Sequence, residues 1–159
     1  MYLCRMKRFV FFISLLCLLG CKPEKKNTNI PDAPIYFQVH LSNYSTFTSG
    51  MGSILVCPAD LIGNDKAGNF GYSGTVLLVN HLDGGFGAYD ACCTNPVCVG
   101  QKNKVSAEIR AKCPVCGSEF DLIYLSAGGG VVSGPAKYPL RRYRVNNYGS
   151  MLTITRYEY

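Results

Sequence analysis

Histidine is scarce in this chain of 159 residues, which contains only His40 and His81. Two histidines offer little general-base capacity, and no Ser/His/Asp set, paired-carboxylate motif or phosphate-binding loop is visible. His40 falls on the polar face of a predicted strand, and His81 lies ten or more residues from the nearest cysteine cluster. We therefore expect neither histidine to bind a metal, and the sequence favours a non-catalytic role over an enzymatic one.

An excess of charge of either sign is also missing from most of the chain. The formal net charge is +6, but from Ile30 onward ten lysines and arginines stand against nine acidic residues. The excess positive charge precedes Ile30, where a basic segment suits the surface of a membrane. Because no basic stripe with interleaved aromatic residues is present, we predict that the chain does not bind nucleic acid.

The N-terminal segment reads as a targeting signal. Arg5, Lys7 and Arg8 form a positive region, and the apolar run that follows is too short to span a bilayer. The run ends in L-L-G-C at Cys21, which resembles a bacterial lipobox and implies cleavage before Cys21 and lipidation of its thiol. We expect residues 1–20 to be a lipoprotein signal peptide, although an ordinary signal peptide with a chance cysteine is an alternative.

Export and a lipid anchor follow from that interpretation. We expect the mature chain to be attached to the cell envelope, at the outer membrane or the periplasmic face, with the membrane as its first partner. Residues 21–34 are polar and contain prolines, which predicts a flexible tether from Cys21. Residues 35–159 form the predicted domain.

Helical periodicity is absent after the leader, whereas short apolar or alternating runs recur between turn residues. This pattern predicts an all-β domain, a small antiparallel sandwich or barrel. Leu61–Tyr72 and Gly128–Pro135 are predicted loops. The predicted strands are Ile35–Leu41, Gly52–Pro58, Gly74–Asn80 (buried on both faces), Phe86–Tyr89, Val105–Lys112 (Val105, Ala107, Ile109 and Ala111 inward), Phe120–Tyr124, Arg142–Val145 and Met151–Tyr157.

Cysteine is the residue that the chain has in abundance. Nine are encoded, and six lie in the predicted domain, namely Cys57, Cys92, Cys93, Cys98, Cys113 and Cys116. The first cluster reads A-C-C-T-N-P-V-C and the second C-P-V-C-G, where proline and glycine favour a tight turn. The second cluster lies between two predicted strands, so we expect a pair of cysteine-bearing loops at one end of the domain.

These two clusters resemble the loops of the Rieske iron–sulfur domain. In the respiratory branch of that family the loops read C-T-H-L-G-C and C-P-C-H-G-S, and here they read C-T-N-P-V-C and C-P-V-C-G-S. Gly134 and Pro135 resemble the segment that covers the cluster. The resemblance implies a Rieske-like fold and, as the family role, binding of a [2Fe-2S] cluster and electron transfer, with a redox or surface protein as a further partner.

The ligand pattern departs from the family. By position, Cys93 and Cys113 match its two cysteine ligands, and Asn95 and Cys116 replace its two histidines. Cys98 matches a cysteine of the family's inter-loop disulfide, but Val115 occupies the position of its partner. The site that the resemblance implies is therefore a degenerate one that contains Cys93, Cys98, Cys113 and Cys116.

Three alternatives remain for these cysteines. They bind a [2Fe-2S] cluster through sulfur alone, they bind a structural zinc ion, or they hold no metal and form disulfides between the loops. An oxidising compartment favours the third alternative, which would leave a surface binding or structural module without redox function. Cys57 either pairs with Cys92 or is a buried core thiol.

Overall fold

Ten short strands form the framework of the molecule, and every pairing between them is antiparallel. The computed structural model describes residues 28–157. The strands are β1 (Ile35–His40), β2 (Ile54–Cys57), β3 (Gly68–Phe70), β4 (Val76–Asn80), β5 (Phe86–Asp90), β6 (Arg110–Lys112), β7 (Glu119–Asp121), β8 (Val131–Ser133), β9 (Arg142–Asn147) and β10 (Met151–Thr155).

The strands are divided between two sheets. Seven strands form the larger sheet in the order β2-β4-β5-β9-β10-β1-β3, and β6, β7 and β8 form the smaller one. The larger sheet is nearly closed, because side chains from β1, β2, β4 and β10 share one core. The prediction of an all-β antiparallel domain is confirmed.

Strand β4 separates two hydrophobic cores. Val76 and Leu78 belong to the core inside the larger sheet, whereas Leu77 and Val79 belong to a second core that includes residues of the smaller sheet. All five residues of β4 are buried, which confirms the prediction that this strand is covered on both faces. The second core also contains Cys93, Cys98 and Cys113, so the cysteine loops are part of the packed interior.

Two short helices were not predicted from the sequence. Helix α1 (Ser45–Ser49) and helix α2 (Pro96–Val99) have five and four residues. Such lengths are too short to produce a recognisable period of 3.6 residues, so local capping is the only signal they carry. Helix α2 follows this rule, because Pro96 stands in its first turn and the Asn95 side chain accepts a hydrogen bond from the Val97 N–H.

Several predicted segments differ from the structure, and the predicted strand Phe120–Tyr124 is paired only within β7, Glu119–Asp121. The predicted loops Leu61–Tyr72 and Gly128–Pro135 contain β3 and β8, which are strands of three residues at the sheet edges. Of the predicted strand Val105–Lys112, only Arg110–Lys112 pairs, and Ala107 is exposed rather than inward. The alternating residues predicted a strand of eight residues. Its partner β7 has only three residues, so only three residues of the predicted strand are paired.

The predicted tether also differs in its last residues. Ile30 is 3% exposed, and the Asn29 amide donates a hydrogen bond of 2.7 Å to the Thr94 carbonyl. Arg141 donates to the Ile30 carbonyl at 2.9 Å and pairs with Asp32. Among the described residues, Asn29, Ile30 and Asp32 of the predicted tether therefore contact the domain. The predicted signal peptide, Cys21 and residues 22–27 lie outside the described residues.

Membrane-spanning helices are not part of the described chain. Between residues 28 and 157, no helix has both the length and the apolar character needed to cross a bilayer.

Candidate metal centre

Two turns present the cysteines of the centre. In the first, Cys93 follows the isolated β-bridge between Cys92 and Lys104, and Cys98 lies in α2, with the Cys98 N–H donating to the Asn95 carbonyl at 2.8 Å. In the second, β6 and β7 form a hairpin with Cys113 and Cys116 in its turn, as the sequence predicts. The backbone of Cys113 pairs with both Gly117 and Ser118 at 2.9 Å, which closes this turn tightly.

The four sulfur atoms of Cys93, Cys98, Cys113 and Cys116 all lie within 4.8 Å of one another. The Sγ atoms of Cys93 and Cys116 are 3.6 Å apart, and those of Cys98 and Cys113 are 3.8 Å apart. Cys93, Cys98 and Cys113 are fully buried, and Cys116 is partly exposed. The cysteines that the sequence selected are therefore brought together in one cluster, and thiolates are the ligands that zinc and iron–sulfur sites share.

Burial governs the protonation of the inner thiols. Burial is the largest cause of the raised pKa of Cys93. Burial and the neighbouring Cys116 and Cys113 thiols together raise the pKa of Cys98 to about 11. Burial also acts on Cys116, but hydrogen bonds from Ser118, Asn95 and Cys93 outweigh it and lower its pKa to about 6. The cluster thus combines buried neutral thiols with one thiol whose anion is stabilised.

Asn95 lies beside the cluster as a hydrogen-bonding residue. It is 8% exposed, and its Oδ1 atom is engaged by the N–H of Val97 at 3.3 Å. Its side chain also contributes to the lowered pKa of Cys116, and its backbone N–H acts in the same direction on the pKa of Cys93. Asn95 therefore caps α2 and favours the anionic form of two neighbouring thiols.

The segment that contains Gly134 and Pro135 contacts both cysteine loops. The Ala136 N–H donates to the Ser118 hydroxyl at 3.0 Å, and the Thr94 hydroxyl donates to the Tyr138 carbonyl. Gly134 has a φ of +91°, and a Cβ atom placed on it would lie 2.5 Å from the Ser118 Cα atom. Gly134 is therefore required by close approach, whereas Pro135 is exposed.

Two residues near the centre carried no sequence signal for their role. Asp90 is fully buried, and its carboxylate accepts hydrogen bonds from the Cys92 N–H at 2.9 Å and the Tyr143 hydroxyl at 2.7 Å. Ser118 has its Oγ atom 3.1 Å from the sulfur of Cys116. An aspartate at a strand end and a serine in a turn are both common on protein surfaces, so only their burial shows that they support the cysteine loops.

The remaining candidate residues lie away from the cluster. His40 is largely exposed, in agreement with the sequence prediction, and His81 is buried with its Nε2 atom 3.3 Å from the Tyr89 hydroxyl. Cys57 is a buried thiol of the first core, the second of the two roles expected for it. Cys92 is buried and its thiol faces the Cys93 carbonyl at 3.5 Å.

All six cysteines of the described residues are free thiols. The sulfur contacts of 3.6 Å and 3.8 Å each join one loop to the other, so the loops are already in the arrangement that either a metal or inter-loop bridges would require.

Comparison with protein-family models finds no match, and comparison with curated proteins finds none either. Among solved structures, the chain is similar to the ferredoxin of carbazole 1,9a-dioxygenase from Nocardioides aromaticivorans IC177, with 16% sequence identity and a TM-score of 0.42. That similarity covers 79% of this chain and 98% of the ferredoxin. The chemistry of the site is accordingly inferred from the cysteines of this chain.

Proposed function

We propose that the chain is an exported lipoprotein whose Rieske-like domain binds a metal through Cys93, Cys98, Cys113 and Cys116. The observation that carries this proposal is the convergence of four cysteine sulfurs within 4.8 Å, from two loops that lie 15 to 23 residues apart. Thiolate sets of this kind are the usual ligands of zinc and of iron–sulfur centres.

A bound cation explains why four cysteine sulfurs are clustered in the interior of the domain. Thiolates this close repel one another, and burial further disfavours their charge, so the cluster gains most when a metal replaces the thiol protons. A metal held by both loops would fix α2 against the β6–β7 turn. Because four cysteines complete a tetrahedral shell, such a site has no open position for a substrate and serves structure or electron transfer.

Electron transfer is the second candidate function, and the exposure of one ligand favours it. Cys116 is partly exposed, and the neighbouring side chains of Val97 and Val115 are 69% and 58% exposed. An iron in this site would exchange one electron with a redox protein that docks on this end of the domain. A zinc ion in the same site would be purely structural.

The membrane anchor is proposed from the leader. The positive region, the short apolar run and the L-L-G-C sequence at Cys21 support processing as a lipoprotein, and a lipid on Cys21 would hold the domain at the cell envelope. Labelled fatty acid should be incorporated into the chain in cells, and a Cys21→Ser variant should carry none. Labelling of the variant to the same level would remove this part of the proposal.

Metal removal tests the site itself. We expect a strong chelator to lower the thermal midpoint of the full-length chain by about 10 °C or more, because losing about 3 kcal/mol has that effect on a domain of this size. Cys113→Ser should lower the midpoint similarly, and chelator should then have no further effect. Cys57→Ala is the matched control, since that buried thiol lies in the other core and should leave the chelator response intact. A chelator-insensitive chain with its thiols lost in pairs would instead favour the disulfide alternative.

A further inference from the structure

The spacing of the four sulfurs bears on how many metal ions the site accommodates. In an all-cysteine [2Fe-2S] cluster, the thiolates are divided between two irons, and bridging sulfides lie between those irons. Thiolates on opposite irons must therefore stand much further apart than thiolates on one ion. Four thiolates on one tetrahedral ion are instead mutually close, with every pair at a similar separation.

The structure shows the second arrangement. With a metal–sulfur bond of about 2.3 Å, tetrahedral geometry places neighbouring sulfurs about 3.8 Å apart. Two of these contacts, Cys93 to Cys116 and Cys98 to Cys113, measure 3.6 Å and 3.8 Å. No pair among these four sulfurs exceeds 4.8 Å, which leaves no room for two irons and their bridging sulfides. The residues present do not fit the cluster that the Rieske resemblance implies.

The neighbours of the sulfurs agree with a single ion. Asn95 stands where the Rieske resemblance implies a histidine ligand, yet its Oδ1 atom accepts a hydrogen bond from the Val97 N–H at 3.3 Å. Ser118 is within 3.1 Å of the Cys116 sulfur, while its hydroxyl accepts from the Ala136 N–H. These groups occupy the surroundings of the thiols and donate to them, as outer partners of a thiolate-bound ion do.

We infer that Cys93, Cys98, Cys113 and Cys116 coordinate one tetrahedral metal ion, without bridging sulfide. This inference rests on the proposed metal-binding function and specifies the class of its cofactor: a single thiolate-bound zinc or iron ion in place of the family's two-iron cluster.

The test is the metal and acid-labile sulfide content of the full-length chain. The protein is extracted from its membrane in detergent, without oxygen or chelator, and zinc, iron and sulfide are measured per chain. One ion and no sulfide supports the inference, and the element found separates zinc from iron. Two irons with two sulfides overturns it while leaving the proposed metal-binding function in place.

Cobalt(II) gives an independent readout that needs no natural metal. Added to the reduced, metal-free chain, it should bind one per chain and produce the visible absorption of a tetrahedral thiolate complex. Cys98→Ser should weaken that spectrum and lower the affinity at least tenfold, whereas Cys92→Ala should retain both, because the Cys92 thiol faces a carbonyl rather than the cluster. Failure of the reduced wild-type chain to bind either its natural metal or cobalt overturns the proposed function and this inference together.

Discussion

The sulfur atoms of Cys93 and Cys116 lie 3.6 Å apart although 23 residues separate them along the chain. Cys98 and Cys113 repeat this relationship at 3.8 Å across 15 residues. Both close contacts therefore cross from one loop to the other. Cys113 and Cys116 of the C-x-x-C motif therefore each have a close contact in the other loop.

These contacts predict which thiols pair when the metal-free chain is oxidised. Two matched double variants test it: Cys98→Ser with Cys113→Ser leaves Cys93 and Cys116, and Cys93→Ser with Cys98→Ser leaves Cys113 and Cys116. We expect the first variant to form its bridge several-fold faster with oxidised glutathione, because a disulfide requires close and correctly directed sulfurs. Mass spectrometry of thiol-blocked samples gives the rates, and a faster bridge between Cys113 and Cys116 would contradict the arrangement of the cluster.

Gly134 predicts a large effect from one added methyl group. Gly134→Ala places a Cβ atom 2.5 Å from the Ser118 Cα atom at a backbone φ of +91°. Left-handed backbone alone costs a non-glycine residue about 1–2 kcal/mol, and the contact with backbone adds to that cost. We expect urea unfolding to show a loss of about 2–4 kcal/mol, together with weaker metal retention.

Gly149→Ala is the control for that substitution. Gly149 has a similar φ of +81°, but nothing lies within 4 Å of the position that a Cβ atom would take there. The free energy of unfolding of Gly149→Ala should therefore fall only by the cost of the left-handed backbone, about 1–2 kcal/mol, and metal retention should not change. Equal losses for the two variants would show that the contact with Ser118 is easily relieved.

Asn95 is expected to influence metal affinity without being a ligand. Asn95→Asp keeps an acceptor for the Val97 N–H, but it replaces the donor to Cys116 with a negative charge. We expect cobalt affinity to fall by about 10–100-fold, the usual effect of losing an outer partner of a metal ligand. Asn95→Ser also retains a capping oxygen and adds no charge, so its cobalt affinity should fall by less. An affinity unchanged in the aspartate variant would exclude the proposed donor role.

His81 predicts a dependence of stability on pH. Burial lowers the pKa of His81, followed by a smaller contribution from Arg142, so the folded domain keeps this ring neutral at a pH where the unfolded chain protonates it. Because the unfolded state then binds more protons, the free energy of unfolding should fall as the pH drops below about 6.5, with a slope of up to about 1.4 kcal/mol per pH unit.

Two histidine variants isolate this contribution. His81→Gln should be less stable at neutral pH but should lose less stability between pH 7 and pH 5 than the wild type. His40→Gln is the comparison variant, because the His40 side chain is 53% exposed and its Nε2 atom lies 4.0 Å from Asp65 Oδ1, so its slope separates the exposed histidine from the buried one. Urea unfolding at several pH values measures all three slopes, and an unchanged slope in His81→Gln would show that His81 is not responsible.

The sequence predicted the parts of the fold that depend on local pattern. The alternation in β1 and the continuous apolar run in β4 both indicated the correct strands and the correct buried faces, because side-chain period and burial are properties of a single segment. The strands β3 and β8 were missed, since three residues are too few to show a period. Their pairing is determined by neighbouring strands that lie far away in the sequence.

The candidate site was predicted in its residues but not in its geometry. The two cysteine clusters and the glycine-proline segment were identified from sequence motifs, whereas the pairing of Cys93 with Cys116 depends on how two loops meet across the second core. The roles of Asp90, Asn95 and Ser118 were also out of reach, because a hydrogen bond to a thiol or a loop backbone leaves no spacing pattern.

The hydrogen bond between Asn29 and the Thr94 carbonyl sets a length scale for the anchored protein. Asn29 follows the proposed lipid-bearing Cys21 by eight residues, and eight residues span at most about 27 Å when fully extended. Thr94 adjoins Cys93, so the tether contacts the domain at the end that contains the cysteine cluster. With the lipid on Cys21, as proposed, this end remains within a few tens of ångströms of the bilayer surface. Any protein that exchanges electrons with the site must therefore reach into that thin layer beside the membrane.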